Sequence, residues 1–76
     1  SKTFYWKENE WQDSDLTKLK SAPEDKDIIK VEQFSQAYFD LTKIDNGRWT
    51  IYLSLDEPVL VQIGTRVYRI SPPAKS

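Results

Sequence analysis

The stretch from Pro58 to Ile70, PVLVQIGTRVYRI, constrains the fold of this chain more than any other. Two apolar segments flank the Gly64-Thr65 pair, and a two-residue connection that begins with Gly favours a type II′ hairpin turn. Such a turn sets the register of the two strands. The expected pairs are Ile63 with Arg66, Gln62 with Val67, Val61 with Tyr68, Leu60 with Arg69, and Val59 with Ile70.

The two faces of this hairpin differ in polarity, and the difference predicts where the core lies. The face predicted to be buried carries Val59, Val61, Ile63, Tyr68 and Ile70, with Arg66 at the turn end. The other face is predicted to be half exposed, as antiparallel sheets allow. It carries Leu60, Gln62, Val67 and Arg69.

A second hairpin is predicted over residues 3–13, TFYWKENEWQD, with its turn at Glu8-Asn9. Asn tolerates the positive φ of such a turn and Glu does not, so the turn type stays open. The expected cross-strand pairs are Lys7 with Glu10 and Trp6 with Trp11, with Phe4 on the tryptophan face. Opposite-charge and aromatic pairs of this kind each contribute about 0.2–1 kcal/mol.

The next part of the chain predicts a loop and then a strand. Residues 14–27 contain few large apolar side chains, and we interpret them as a surface loop with room for a short helical turn. Leu16 and Leu19 are its expected anchors. Residues 28–33 favour a strand because β-branched side chains recur in them. The core side of this strand carries Ile29 and Val31.

One helix is predicted over residues 35–45, with Ser35 as its N-cap. Phe34 and Phe39 have the N′ and N4 spacing of a hydrophobic staple. Apolar side chains recur at intervals of three and four residues, which predicts one buried stripe. The stripe consists of Phe34, Ala37, Tyr38, Leu41 and Ile44. Asn46-Gly47 supplies the C-terminal stop.

Residues 48–56, RWTIYLSLD, alternate strictly in polarity and predict a further strand. Trp49, Ile51, Leu53 and Leu55 would point one way, and Thr50, Tyr52, Ser54 and Asp56 the other. Residues 71–76, SPPAKS, predict a disordered tail or linker, because two prolines lack the N–H group that a sheet needs. Residues 1–70 are therefore expected to form a single domain.

Composition narrows the classes of function. A chain of 76 residues makes one small domain, and its net charge of −1 argues against a nucleic-acid partner held by bulk charge. The chain contains no Cys and no His, which removes thiolate chemistry and the commonest general base and metal ligand. No apolar run approaches 18 residues, so we expect no membrane insertion. A first residue of Ser rather than Met suggests a fragment or a processed product.

The acidic residues in turns do not predict a reaction centre. Asp13 and Asp15 have the spacing that opens a calcium loop, but Lys18 stands where the required Gly would be. Asp56-Glu57 has no nucleophile or electrophile nearby in the sequence. We therefore expect no enzymatic activity, no metal, no cofactor, and no deep pocket lined by two or more carboxylates.

The aromatic side chains are compatible with a binding function. Trp6, Trp11, Trp49 and Tyr52 could form a platform that stacks on sugars or on a proline-rich peptide. The alternative, which we favour for the tryptophans, is that they fill a core too small for aliphatic side chains alone. Tyr52 lies on the less apolar face of its predicted strand and is therefore the better surface candidate.

Three segments together resemble a known family: TFYWKENEWQDS, DIIKVEQFSQAYFDL and YLSLDEPVLVQIGTRVYRI. They are similar, in order and spacing, to the C-terminal region of bacterial proteins that carry VIT and von Willebrand A domains, relatives of inter-alpha-trypsin inhibitor heavy chains. The resemblance covers residues 3–70, with a variable loop at 14–27, and contains no catalytic motif. The family tends to a helical, Pro-containing segment at 45–52, where this chain has DNGRWTIY, so strand and helix-turn both stay open over 48–56.

The resemblance implies an accessory module of an exported or envelope-associated bacterial protein, whose metal-ion-dependent adhesion site would lie outside this chain. The expected function is a non-catalytic structural or protein-interaction module, monomeric in isolation, that contacts proteins or other domains of its own chain. The alternative is a carbohydrate- or peptide-binding module that uses exposed aromatic side chains.

The residue pattern as a whole predicts an α+β domain, with a small, mostly antiparallel sheet of about five strands and one helix packed on it. The predicted core consists of Phe4, Trp6, Trp11, Ile29, Val31, Phe34, Ala37, Tyr38, Leu41, Ile44, Leu53, Val59, Val61, Ile63, Tyr68 and Ile70.

Overall fold

The computed structural model describes residues 3–19, 21, 23–47 and 56–73. Its strands are β1 (Phe4–Lys7), β2 (Glu10–Asp13), β3 (Ile28–Glu32), β4 (Val59–Ile63) and β5 (Arg66–Ser71), and its α-helix is α1 (Gln36–Thr42). Short 3-10 helices span Ser14–Lys18, Asp25–Asp27 and Ile44–Gly47. The prediction of a small α+β domain with five strands and one helix is therefore confirmed. The strand or helix-turn expected at 48–56, with Leu53, lies outside the described residues except for Asp56, which lies in a bend.

The five strands form one sheet in the order β1-β2-β4-β5-β3. The pairs β1–β2 and β4–β5 are antiparallel, whereas β2–β4 and β3–β5 are parallel. The sheet is thus mixed rather than mostly antiparallel. The reason is that the chain crosses the sheet after β2 and returns at the far edge, a path that local residue patterns do not specify.

The central hairpin has the predicted register, with Val61 opposite Tyr68 and Gln62 opposite Val67. Of the two turn residues, Gly64 has a positive φ of 65° and Thr65 does not, as a type II′ turn requires. A side chain at Gly64 would meet no atom within 4 Å, so the backbone angle rather than space favours glycine here.

The first hairpin also has the predicted register, with Lys7 opposite Glu10 and Trp6 opposite Trp11. Its turn residues Glu8 and Asn9 have φ angles of 54° and 65°, so both occupy the region that a type I′ turn needs. The sequence did not decide the type of this turn, and the structure shows that it is I′. Glu8 stands at a position that usually favours Asn, Asp or Gly.

Helix α1 begins where the sequence predicts. The Ser35 hydroxyl accepts a hydrogen bond from the Tyr38 N–H at 3.3 Å, which confirms the N-cap. The α-helix ends at Thr42 rather than at residue 45, and the chain continues as the 3-10 helix Ile44–Gly47, with Gly47 at a φ of 81°.

The main core lies between the helix and one face of the sheet. Its buried members are Val31, Tyr38, Leu41, Val59, Val61, Ile63, Tyr68 and Ile70, with Phe4, Trp11 and Ile44 packed against them. Four residues predicted for this core are exposed instead, namely Trp6, Ile29, Phe34 and Ala37. Trp6 and Ile29 lie on the two outermost strands, and Phe34 lies in the turn before the helix, where cover from other elements is least.

A second apolar cluster covers the other face of the sheet. Leu60 and Val67 are buried there beneath Leu16, with Leu19 and Ile28 packed against them. The prediction that this face is half exposed is therefore wrong for Leu60 and Val67. The anchoring role of the two loop leucines is confirmed, because Leu16 is buried on this face and Leu19 packs against the cluster.

Candidate functional site

The predicted aromatic platform is only partly within the described structure. The rings of Trp6 and Trp11 meet edge to face, with centroids 5.2 Å apart. Trp11 is half-buried against the core, and its indole N–H donates to the Glu57 carboxylate at 3.2 Å. Trp6 is 47% exposed. Trp49 and Tyr52 lie outside the described residues, so the structure brings together two of the four predicted side chains.

A second set of exposed apolar side chains lies along the segment from β3 to α1. Ile29, Phe34 and Phe39 are 40%, 63% and 45% exposed, and we call them the β3–α1 apolar surface. Phe34 and Phe39 each contact the ring of the buried Tyr38 edge to face, at centroid distances of 5.5 and 5.4 Å. The staple predicted between the two phenylalanines therefore appears as two separate contacts with Tyr38, and both rings keep an open face.

Phe34 is held outward by its backbone. The Ser35 N–H donates to the Glu32 carbonyl at 3.2 Å, which closes a four-residue turn with Phe34 in third position. Its φ of 68° is the value that a type II turn requires there, where Gly or Asn is preferred. A bulky residue in this region costs about 1–3 kcal/mol. Periodicity placed Phe34 in the buried stripe because a helical pattern carries no information about the turn that precedes it.

Strand β3 forms one outer edge of the sheet, since in the described part of the chain its only strand neighbour is β5. The Gln33 N–H donates to the Ser71 carbonyl at 2.8 Å. The backbone N–H and C=O groups of every second residue point to the same side of a strand, so those of Ile29 and Val31 also face β5. The backbone N–H and C=O groups of Ile28, Lys30 and Glu32 face away from the sheet. This edge borders the segment that carries the β3–α1 apolar surface.

A groove of about 470 Å³ lies on the opposite face of the sheet. Its polar floor is the Glu10 carboxylate, 6% exposed, which accepts from Arg69 Nε at 3.0 Å and from Arg69 Nη2 at 3.3 Å. The Gln12 side-chain amide donates to the same carboxylate at 3.0 Å. Tyr5 and Leu19 also line the groove, which therefore combines aromatic, apolar and paired polar groups.

The groove is lined by two carboxylates, Glu8 and Glu10, but it is open to solvent, and the expectation concerned deep pockets, so that expectation stays a prediction. Both oxygens of Glu10 already accept hydrogen bonds, and Arg69 neutralises its charge. A carboxylate held in this way is a structural partner of Arg69. The pair lies 59 residues apart in the chain, which explains why no local pattern predicted it.

Asp13, the first residue of the predicted acidic turn, is fully buried and serves the fold. Its Oδ1 accepts from the Asp15 N–H at 2.9 Å, which caps the first 3-10 helix, and its Oδ2 accepts from the Gln62 N–H at 3.0 Å. Within residues 3–19, 21, 23–47 and 56–73, no group of three or more acidic side chains is placed to hold a metal ion. In the same ranges, no helix has the length and apolar content needed to cross a membrane.

Comparisons with family models, with curated proteins and with solved structures found no match for this chain. Its function is therefore inferred from the surfaces of the domain: the β3–α1 apolar surface with the adjoining sheet edge, and the groove on the other face.

Proposed function

We propose that this domain is a non-catalytic protein-interaction module that binds its partner through the β3–α1 apolar surface. The observation that carries the proposal is the exposure of Ile29, Phe34 and Phe39 along one segment of the chain. Single exposed apolar residues are ordinary on proteins, but grouped large side chains are typical of contact surfaces. Aromatic side chains in particular dominate the energetics of such contacts.

The conformation of Phe34 supports the same proposal. A glycine would occupy this turn position without strain, and the exposed ring of Phe34 gains little from burial in the free domain. Strained residues that persist in a fold are concentrated at ligand-binding and switching positions. We infer that the ring is retained because a partner covers it.

We further propose that the partner is another protein or another domain of the same polypeptide, within a larger exported or envelope-associated bacterial protein. This part of the proposal rests on the resemblance of residues 3–70 to the C-terminal region of VIT and von Willebrand A domain proteins. In such an arrangement the module would contribute binding and structure, while any metal-dependent adhesion would belong to a neighbouring domain.

The direct test is site-specific photo-crosslinking. A benzophenone amino acid replaces Phe34 in one variant and Thr65, at the exposed tip of the distant hairpin turn, in a matched control. We expect light to produce a discrete protein adduct, or an intramolecular crosslink in the full-length polypeptide, from position 34 and not from position 65. Mass spectrometry of the adduct then identifies the contacted residues.

A second variant separates contact from stability. Phe39→Ser removes a half-exposed ring from the same surface, so the crosslink from position 34 should weaken. Unfolding in urea should show a loss of about 0.5–1.5 kcal/mol from the contact with Tyr38, with the domain still folded. Equal crosslinking from positions 34 and 65, or a crosslink that is indifferent to Phe39→Ser, would contradict the proposed surface.

The groove on the opposite face supports a second candidate, the binding of carbohydrate. Tyr5 lines the groove beside the Glu10–Arg69 pair, so an aromatic ring lies next to planar polar groups that can bond hydroxyls. Saturation-transfer NMR with a panel of oligosaccharides tests this directly. If the groove binds carbohydrate, saturation should transfer from the protein to at least one sugar, and Tyr5→Ala should abolish this transfer whereas Trp6→Ala should not. Absence of transfer to every sugar in the panel would rule out carbohydrate binding.

A further inference from the structure

We propose that the outer edge of β3 binds an extended peptide segment, which joins the five-stranded sheet as a further strand. The segment carries an acidic residue opposite Lys30, flanked on each side by an apolar residue. This inference rests on the proposed protein-interaction function and states the chemistry of the partner that the module takes.

The outward-facing backbone groups of β3 divide into those already bonded and those still open. The Ile28 N–H donates to the Asp25 carbonyl, and the Glu32 carbonyl accepts from the N–H and the hydroxyl of Ser35, at 3.2 and 2.7 Å. The groups that remain are the Ile28 carbonyl, the N–H and carbonyl of Lys30, and the Glu32 N–H. None of these has a partner within the described ranges of the chain.

This open set matches what one extended peptide can supply. In antiparallel pairing, the peptide residue opposite Lys30 exchanges two hydrogen bonds with it. The residues two positions away on either side then accept from the Glu32 N–H and donate to the Ile28 carbonyl. Every open group is satisfied, and no group that is already bonded inside the domain has to be released. Strand addition of this kind is a recurring mode of peptide recognition.

The side chains of β3 define the sequence of the segment. Lys30 projects from one face of the sheet, and Ile29 and Val31 project from the other, because side chains alternate along a strand. The Lys30 ammonium lies 3.2 Å from the Asp25 carboxylate, in an ion pair whose two side chains are both exposed. Exposed ion pairs contribute at most about 1 kcal/mol, so an acidic peptide side chain opposite Lys30 can share or replace Asp25 as its partner. A depression of about 410 Å³ beside it, lined by Lys30, Glu32 and Pro72 among others, leaves room for that side chain. The flanking peptide residues lie opposite Ile29 and Val31, and Ile29 is 40% exposed, so apolar side chains fit there.

The same edge is poorly suited to a second copy of this chain. Antiparallel pairing of two β3 strands satisfies the open groups only if Lys30 of one copy lies opposite Lys30 of the other. Like charges directly opposite each other destabilise a strand pair, and lysine on an edge strand is a known obstacle to edge-to-edge association. The chemistry of the edge therefore favours a different, acidic segment.

The test is an NMR titration of the isotope-labelled domain with the synthetic peptide acetyl-Thr-Thr-Val-Glu-Val-Thr-Thr-amide. We expect saturable shifts at millimolar peptide that are largest for the amides of Lys30 and Glu32, with the Lys30 amide proton moving downfield as it gains a hydrogen bond. A peptide with Lys in place of Glu is the matched control and should bind about three- to tenfold more weakly.

Charge reversal on the domain supplies the decisive variant. Lys30→Glu changes an exposed side chain, so it should fold normally and should prefer the Lys peptide over the Glu peptide. Lys30→Thr should bind both peptides with nearly equal affinity. Absence of shifts at millimolar peptide, shifts that centre away from β3, or an unchanged preference in Lys30→Glu would each overturn the proposal.

These results are separable from those of the proposed function. A crosslink from position 34 without peptide binding at the edge would leave the interaction function standing and remove strand addition as its mode. Peptide binding at the edge without any crosslink from position 34 would keep strand addition and remove the aromatic contact.

Discussion

Replacing Asp13 with alanine should destabilise this domain more than any other single change to an acidic residue in its described part. The carboxylate is fully buried and accepts two backbone hydrogen bonds, from Asp15 at 2.9 Å and from Gln62 at 3.0 Å. It thereby joins the end of β2, the start of a 3-10 helix and the middle of β4. Asp13→Ala leaves both part-buried N–H groups without this acceptor.

The expected loss of stability follows from the two N–H donors that would lose their acceptor. Each buried donor left without a partner costs about 1–3 kcal/mol, so the loss should be about 2–6 kcal/mol. A domain of this length has a total stability of about 4–11 kcal/mol. Asp13→Ala should therefore remove a large fraction of the folding free energy. Asp13→Asn keeps one oxygen acceptor and nearly the same volume, so its loss should be smaller.

Urea unfolding followed by tryptophan fluorescence measures the effect, because the half-buried Trp11 reports on the same strand. The matched control is Asp27→Ala, an exposed acidic residue in another 3-10 helix, which should change stability by less than about 0.5 kcal/mol. If Asp13→Ala and Asp27→Ala unfold at the same urea concentration, the structural role assigned to the buried carboxylate is wrong.

Three further predictions concern other parts of the molecule. Phe34→Gly should be more stable than Phe34→Ala by about 1–2 kcal/mol in urea unfolding, since both lack the ring and only alanine is strained at positive φ; equal stabilities would contradict the turn geometry. Val61→Thr should cost about 1–3 kcal/mol by burying a hydroxyl, whereas Gln62→Thr on the other face should change stability little; similar losses would contradict the register of the central hairpin. Panels of glycosidase, esterase and peptidase substrates should show no turnover above buffer, and turnover that Glu8→Gln abolishes would show that the groove is catalytic.

Sequence patterns predicted the local features of this fold well, because those features depend on neighbouring residues. Gly64 determines the turn of the central hairpin, and the alternation on either side of it determines which side chains pair. The Ser35 cap is likewise a short-range signal, and its hydroxyl binds the N–H group that the cap motif requires. In each case the residues that interact lie within a few positions of the turn or cap.

The features that escaped prediction depend on contacts across the chain. The parallel pairings of β2 with β4 and of β3 with β5 join segments whose own patterns say nothing about their partners. The hydrogen bond from the Gln62 N–H to Asp13 spans 49 residues, so Asp13 resembled an ordinary turn aspartate in the sequence. Burial of Leu60 required Leu16 and Leu19, more than 40 residues earlier in the chain, to pack over the same face of the sheet.

The candidate site was predicted only in part, for the same physical reason. The sequence offered Trp6, Trp11, Trp49 and Tyr52 as a possible aromatic binding surface, with a core role favoured for the tryptophans. The most exposed ring among the large hydrophobic side chains of the described residues instead belongs to Phe34. Spacing of three and four residues cannot distinguish a buried side chain from one that a turn of positive φ directs outward. The outer edge of β3 could not be recognised before the strand order was known.

Amide hydrogen exchange along β3 tests most directly whether this domain presents an open strand edge. In the free domain, the amides of Val31 and Gln33, which face β5, should exchange slowly, whereas those of Lys30 and Glu32 should exchange at rates close to those of an unstructured peptide. Addition of the Val-Glu-Val peptide should slow exchange at Lys30 and Glu32 selectively. Strong protection of the Lys30 and Glu32 amides in the free domain, equal to that of Val31, would show that the edge is already occupied and would contradict the proposed mode of binding.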